Sequence, residues 1–188
     1  LLSRRQRQMC IRDRDALRSK IGFVPQKAFL FSGTVSSNVG YGEDNASDAA
    51  IRKAVSIAQA AEFVESPEVG YSGTVAQGGS NFSGGQKQRL SIARAVARDP
   101  EILVFDDSFS ALDYKTDHAL RQALREQTSG TTNIIVAQRI GTIRDADCIL
   151  VIEDGAIVGK GTHRELMESC KVYQEIAYSQ LSKEELAS

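Results

Sequence analysis

The sequence predicts an α/β layered core with a mostly helical stretch set into it. Short apolar runs of strand length, at 21–24, 102–105, 133–137 and 148–152, alternate with helical periodicities. The run Ile102-Leu103-Val104-Phe105 is apolar on both faces, as in the centre of a covered parallel sheet. Residues 44–98 are by contrast mostly helical and read as an inserted lobe.

The first patterned segment is Ala16-Leu17-Arg18-Ser19-Lys20, ahead of a strand over 21–24 that Pro25 ends. A loop runs from Gln26 to Phe31, and Ser32-Gly33-Thr34 opens a helical turn over 35–39. After a loop at 41–45, Ser47 is an N-cap for a helix carrying Ile51, Ala54, Val55 and Ala58 on one stripe. Pro67 and the glycine-rich region 70–79 predict irregular structure. A helix over 86–98 puts Lys87, Ser91, Arg94 and Arg98 on one face, and Ile92, Ala93, Val96 and Ala97 on another. Asp99-Pro100 stops it. The next helix, over 115–127, turns Leu120, Ala123 and Leu124 inward, and the strand 133–137 follows it. A helical turn at 140–144 then leads to two strands about Glu153-Asp154-Gly155. Thr162 and Glu165 form a capping box for another helix, and the last helix covers 171–180.

The 188 residues suffice for one domain with a sizeable core. With 41% hydrophobic and 25% charged residues, the balance is that of an ordinary soluble globular protein. A net charge of -1 argues against nucleic-acid binding by bulk electrostatics. No apolar run nears the roughly 18 residues of a spanning helix. The three cysteines, Cys10, Cys148 and Cys170, are odd in number and stand at no metal-ligand spacing. They predict reduced thiols in a cytosolic compartment, with Cys148 buried at the head of its strand. Arg4, Arg5, Arg7, Arg12 and Arg14 cluster with neither a continuous apolar stretch nor a cleavage site for a targeting peptide. Residues 3–14 resemble translated adapter sequence from the ends of assembled sequencing reads. A foreign segment over 1–14 is therefore expected, with the native chain starting near Asp15 and an upstream part lost.

Two segments carry the chemistry. Asn81-Phe82-Ser83-Gly84-Gly85-Gln86-Lys87-Gln88-Arg89 sets a serine and two glycines at the mouth of a helical run. The Ser83 hydroxyl, the Gly84 and Gly85 amides and the dipole of a helix beginning at Gln86 make an anion site. Glycine lets a phosphate approach the backbone closely. Alone, Ser-Gly-Gly reads as a capped turn; its continuation into an alanine-rich helix ending Arg-Asp-Pro favours the anion site. Glu101-Ile102-Leu103-Val104-Phe105-Asp106-Asp107 is an apolar strand ending in paired carboxylates, a common way to hold Mg2+ beside phosphates. Alone, those carboxylates would as readily cap the next turn.

In this order the two segments resemble the signature and Walker B motifs of ABC-type ATPases, over about residues 15–181. The resemblance implies a P-loop NTPase (RecA-like) layered core, incomplete at its N-terminus, with an inserted α-helical signature subdomain. Core and Q-loop would span 15–43, the helical subdomain 44–98, the remaining core 99–181 and a tail 182–188. It implies ATP and Mg2+ as cofactors. Ser83, Gly84, Gly85 and Gln86 would bind the γ-phosphate held by an opposing subunit, in a head-to-tail dimer. Asp106 would hold Mg2+ through a water. Gln26, after Phe23-Val24-Pro25, matches the Q-loop that senses metal and γ-phosphate. Ser110-Ala111-Leu112-Asp113 matches the D-loop at the dimer interface, with Asp113 at the nucleotide site. Ala28-Phe29-Leu30-Phe31-Ser32-Gly33-Thr34-Val35 and residues 173–180 resemble exporter-type members. The implied parent is a half-transporter at the cytoplasmic face of the cell membrane. There it would couple ATP binding and hydrolysis to export through its own transmembrane domain, with no nucleic-acid partner.

Two positions depart from the family pattern. Asp107 stands where active sites carry a glutamate that polarises the attacking water; it is shorter by one methylene, and a general base must reach its proton. Gln138, in Ala137-Gln138-Arg139, stands where a histidine contacts the γ-phosphate; an amide keeps an N–H donor but has no cationic form. His118 and His163 suit surface positions better than replacement of that histidine. With the signature intact, the pair of departures resembles the degenerate-site subunit of a heterodimeric bacterial exporter, whose partner is a second half-transporter. No G-x-x-x-x-G-K-[ST] occurs, so the phosphate-cradling P-loop is expected upstream and this fragment alone is expected to be inactive. Two other readings stay open: a chromosome or DNA-repair ATPase domain, marked by upstream coiled-coil heptads, and a non-hydrolysing regulatory module.

Overall fold

The structure, a computed structural model, describes residues 14–42 and 46–180. The expectations for residues 1–13, for the loop residues 43–45 and for the tail 182–188 lie outside the described residues. The chain divides after Val136 into two compact units.

In chain order the first unit holds β1 (Ile21–Val24), β2 (Gly33–Thr34), α1 (Val35–Val39), α2 (Asp48–Ile57) and α3 (Ala61–Val64). Then come β3 (Thr74–Val75), a 3-10 turn (Gln77–Gly79), α4 (Gly84–Ala97), β4 (Ile102–Asp106), α5 (Tyr114–Gln127) and β5 (Thr132–Val136). A helical turn over 14–19 precedes β1 and is exposed throughout. Three parallel strands pair in the order β1-β4-β5, so the most apolar run is the central one. Val24, Leu103 and Phe105 are fully buried on one face of this sheet. Helix α4 lies against it at Gly22, where a Cβ would come 2.8 Å from the Ala95 carbonyl oxygen and 2.8 Å from Leu103 Cδ2. A side chain at position 22 would push the helix off the strand. Leu30, Val35, Val39, Ile57, Leu90, Ile92 and Leu120 complete one continuous core, each worth about 1.5–3 kcal/mol of burial. The opposite face of the sheet carries Phe23, Ile134 and Val136, all about half exposed.

Helix α4 differs from its sequence reading in two ways. It begins at Gly84, not Gln86, because Ser83 is the cap. Ser91, expected on a polar face, is buried, and so is Gln88. The helix packs against β1, α1 and α2, so little of its surface is left for a solvated stripe. Arg94 turns its guanidinium onto the carbonyls of Asn38 and Phe29 and onto Asn38 Oδ1, each at 2.9 Å. The two-residue ribbon of β2 with β3 and the short α3 were not legible, since segments this short have no period to read.

The second unit holds α6 (Ile140–Ile143), β6 (Ile149–Glu153), β7 (Ala156–Gly161), α7 (His163–Ser169) and α8 (Lys171–Gln180). β6 and β7 form an antiparallel hairpin whose turn residues Asp154 and Gly155 both have positive φ, 49° and 78°. The Thr162–Glu165 capping box forms as expected. Ile140, Ile149, Val151, Leu166, Cys170, Tyr173 and Ala177 make this unit's core.

Two side chains reverse their sequence readings. Cys148 is exposed, because β6 starts one residue later and it is Ile149 that points inward. His118 is at the surface as expected, but His163 is half-buried, with Nδ1 2.8 Å from the Tyr173 hydroxyl. Burial holds the His163 imidazole below its ordinary pKa, Arg144 adding to the shift and Asp145 opposing it. Burial also raises the Tyr173 phenol, so the hydroxyl keeps its proton beside the imidazole. The unfolded chain thus binds more protons at His163 than the folded one. The stabilising contribution is full above about pH 6.5 and is lost as pH falls through the lower folded value. Urea unfolding at about pH 7.5 and about pH 5 should show a larger acid-side loss for wild type than for His163→Phe. Equal losses would place the acid sensitivity elsewhere.

Candidate functional site

The mouth of α4 is built by local hydrogen bonds. Ser83 sits in the extended region and its Oγ accepts from the Gln86 amide at 3.3 Å, while Gln86 Oε1 accepts from the Ser83 amide at 2.9 Å. The first helical bond runs from the Lys87 amide to the Ser83 carbonyl at 2.9 Å. The Gly84 and Gly85 amides stand ahead of it, where helix geometry supplies no partner. A Cβ at Gly84 would meet nothing within 4 Å, whereas one at Gly85 would come 3.5 Å from the Ala111 carbonyl oxygen. The mouth is therefore open at Gly84 and seated on the Ser110–Asp113 segment at Gly85. Behind it, Asn81 fixes the preceding loop: its Nδ2 donates to the Thr74 carbonyl at 2.8 Å and its Oδ1 accepts from the Ala76 amide at 3.0 Å. Gly79 in that loop has φ +66° and a Cβ there would fall 2.9 Å from Leu30 Cδ1, so only glycine fits. Two amides at the positive end of a 14-residue helix can hold an anion.

The second part lies at the carboxyl ends of β1 and β4, where open α/β sheets bind ligands. Asp106 ends β4 half-buried. Asp107 leaves the strand with φ +43°, a left-handed backbone unusual outside glycine. Hydrogen bonds from both sides hold it there. Its amide donates to the Val136 carbonyl at 2.9 Å, the Ser110 hydroxyl donates to its carbonyl at 2.8 Å, and Gln26 Nε2 donates to its Oδ2 at 3.3 Å. The structure thus brings Gln26 and Asp107 together. Asp106 and the Gln26 side-chain oxygen are donors of the hard kind Mg2+ takes. Asp113 is the N-cap of α5: its Oδ1 accepts from the Thr116 amide at 2.9 Å and its Oδ2 from the Thr116 hydroxyl at 2.7 Å. These bonds hold its carboxyl below the usual range.

Gln138 belongs to the second unit and is exposed. Its carbonyl accepts from Gln180 Nε2 at 2.8 Å, and Gln180 Oε1 accepts from the Ile140 amide at 2.9 Å. One side chain of α8 therefore closes the start of α6, whose N-cap residue Arg139 does not cap the helix with its side chain. Sequence reasoning passed over Gln180, and likewise Asn38, Gln88 and Ser108, which are polar but buried in the first unit. Their only signal is a polar residue at an apolar-phase position, as at Gln88 beside Leu90 and Ile92.

The family model for ABC transporters matches residues 2–110, more than half of the chain. The chain belongs to the ABC transporter family. The match starts at residue 2, takes in the arginine-rich segment and runs through the Gln26 loop, α4 and β4. An uncharacterized ABC transporter ATP-binding protein of Mycobacterium tuberculosis is 47% identical over 169 residues, covering 88% of this chain and 29% of that protein. A Bacillus subtilis protein described in the same words is 45% identical over 170 residues, covering 90% and 29%. ABC transporter B family member 21 of Arabidopsis thaliana is 42% identical over 165 residues, covering 88% and 12%. The structure of a bacterial Atm1-family ABC exporter with ATP bound superposes with a TM-score of 0.84 at 37% identity, over 88% of this chain and 29% of that one. This ABC family chain accordingly has the α/β ABC ATPase fold and spans less than a third of the length of these relatives.

Proposed function

We propose that this chain is the larger part of the ATP-binding domain of an exporter half-transporter, and that the domain couples ATP binding and hydrolysis at a dimer interface to export. The observation that carries the reading is the mouth of α4, where the Gly84 and Gly85 amides stand ahead of the first helical bond, beside a capping serine on an exposed helix end. Ser83, Gly84 and Gly85 contact the terminal phosphate of a nucleotide held by a second half-transporter, and Gln86 holds the serine in place. Transporter names among the relatives, and an exporter solved with ATP bound, support this over a chromosome or repair ATPase. When bound, Mg2+ would neutralise charge on the phosphates, and Asp106 and Gln26 would hold it. Asp113 anchors the segment against which the α4 mouth rests. A transmembrane domain of the same parent places this domain at the cytoplasmic membrane face. Residues 15–43, 44–98 and 99–181 supply the core with its Q-loop, the helical subdomain and the remaining core.

The own site is degenerate in this reading. Asp107 is one methylene short of a glutamate base, and Gln138 offers the phosphate an amide instead of an imidazole. The intact signature then serves the partner's site. Single-turnover hydrolysis in the parent complex with the partner's site disabled is the test. The Asp107 site should be at least about 100-fold slower than the partner's site measured the same way. Equal rates would refute degeneracy and leave a working aspartate. Failure of the assembled complex to bind Mg-ATP would refute the ATP-binding reading itself.

A further inference from the structure

Pro25 carries no N–H, and the two carbonyls around its ring are both captured by buried side chains. The Val24 carbonyl accepts from the Ser108 hydroxyl at 2.9 Å, and the Pro25 carbonyl accepts from Gln88 Nε2 at 3.2 Å. Ser108 is 0% exposed and Gln88 2% exposed. Ser108 directly follows Asp107 in the turn after β4. Gln88 lies on α4 about 7–8 Å along the axis from Ser83. We propose that Gln88 is a positioning residue which, with Ser108, holds the stem of Gln26 between the α4 mouth and the Asp106–Asp107 strand end. Filling space does not require an amide at position 88. A methionine has the same length and would avoid desolvating a carboxamide, which is costly unless hydrogen-bonded. What the amide adds is a directed bond to the backbone immediately before Gln26.

The consequence is mechanical. Gln26 reaches Asp107 Oδ2 from a stem with one fastening in the turn after β4 and the other on α4. A shift of α4 against β4 must strain or break one fastening and so move Gln26. An event at the α4 mouth thereby reaches the carboxylates through two hydrogen bonds. The catalytic consequence rests on the ATP-binding reading above; the positioning itself does not.

The test uses the full-length parent transporter with its partner, comparing wild type with Gln88→Met and Ser108→Ala. Hydrogen exchange over residues 26–31 reads the position of the loop, and steady-state hydrolysis separates kcat from KM for ATP. Gln88→Met should raise exchange of that segment several-fold and lower kcat about 10-fold, with KM within about 2-fold and thermal stability nearly unchanged. Ser108→Ala releases the other fastening and should give the same split. Unchanged exchange in both variants overturns the proposal, and so does a loss of activity that merely tracks loss of stability. If wild type binds no ATP, the functional reading falls, and the exchange measurement still decides whether Gln88 positions the loop.

Discussion

Ser83→Arg is expected to lower ATP turnover of the assembled transporter by at least about 100-fold while shifting its melting temperature by only a few degrees. The stability effect is small because the change removes one helix cap, worth about 1 kcal/mol. What it loses locally is the bond from the Gln86 amide to Ser83 Oγ and, with it, half of a reciprocal box. The catalytic effect is large because a long side chain then occupies the open side of the α4 mouth, where Gly84 has nothing within 4 Å of a Cβ position. A phosphate aimed at the Gly84 and Gly85 amides would meet it first. Asp107→Asn in the same complex should reduce turnover less than about 3-fold, since it alters a base that is already short. Comparing the two steady-state rates decides the matter. Equal losses would make Asp107 a working base, and an unaffected Ser83→Arg complex would remove the α4 mouth from the nucleotide site.

Phe105→Ala should destabilise the first unit by about 3–5 kcal/mol, a large share of the 5–15 kcal/mol that typically holds a domain folded. Phe105 is 0% exposed on the central strand and packs its ring 5.0 Å from that of Phe109, just past the Asp106–Asp107 turn. Truncation leaves a cavity under the strand end that carries both carboxylates. Phe23→Ala, on the opposite face of the same sheet, is the control: Phe23 is 56% exposed and its loss should cost less than about 1 kcal/mol. Urea unfolding of the two variants of this chain measures the difference. Similar costs would mean that the face carrying Phe23, Ile134 and Val136 is also packed.

The parts of the fold legible in the sequence are those written in short-range code. The caps at Ser47 and Thr162 depend on residues three apart, and both form. The inward residues Leu120, Ala123 and Leu124 of α5 follow from one helical period, and all are buried. Errors arose where burial on several sides replaced a single stripe, as at Ser91, or where the strand edge moved by one residue, as at Cys148. His163 was misjudged because its partner, Tyr173, lies on the next helix, and nothing in a ten-residue separation marks the pair.

By itself the sequence determined the order and spacing of the chemical motifs: a serine and two glycines before a long helix, a carboxylate pair after an apolar strand, and a glutamine after Val24-Pro25. It also showed the shortened Asp107 and the amide at Gln138. Only the tertiary structure decided that Asp107 turns left-handed out of β4 and receives Gln26 from 81 residues away. The same holds for the capture of the Val24 and Pro25 carbonyls by Ser108 and Gln88, across separations of 84 and 63 residues. Periodicity and capping are local properties of a few adjoining residues. Contacts at these separations depend instead on the parallel register of β1 against β4 and on where α4 lands on Gly22, which are settled only when the whole first unit packs.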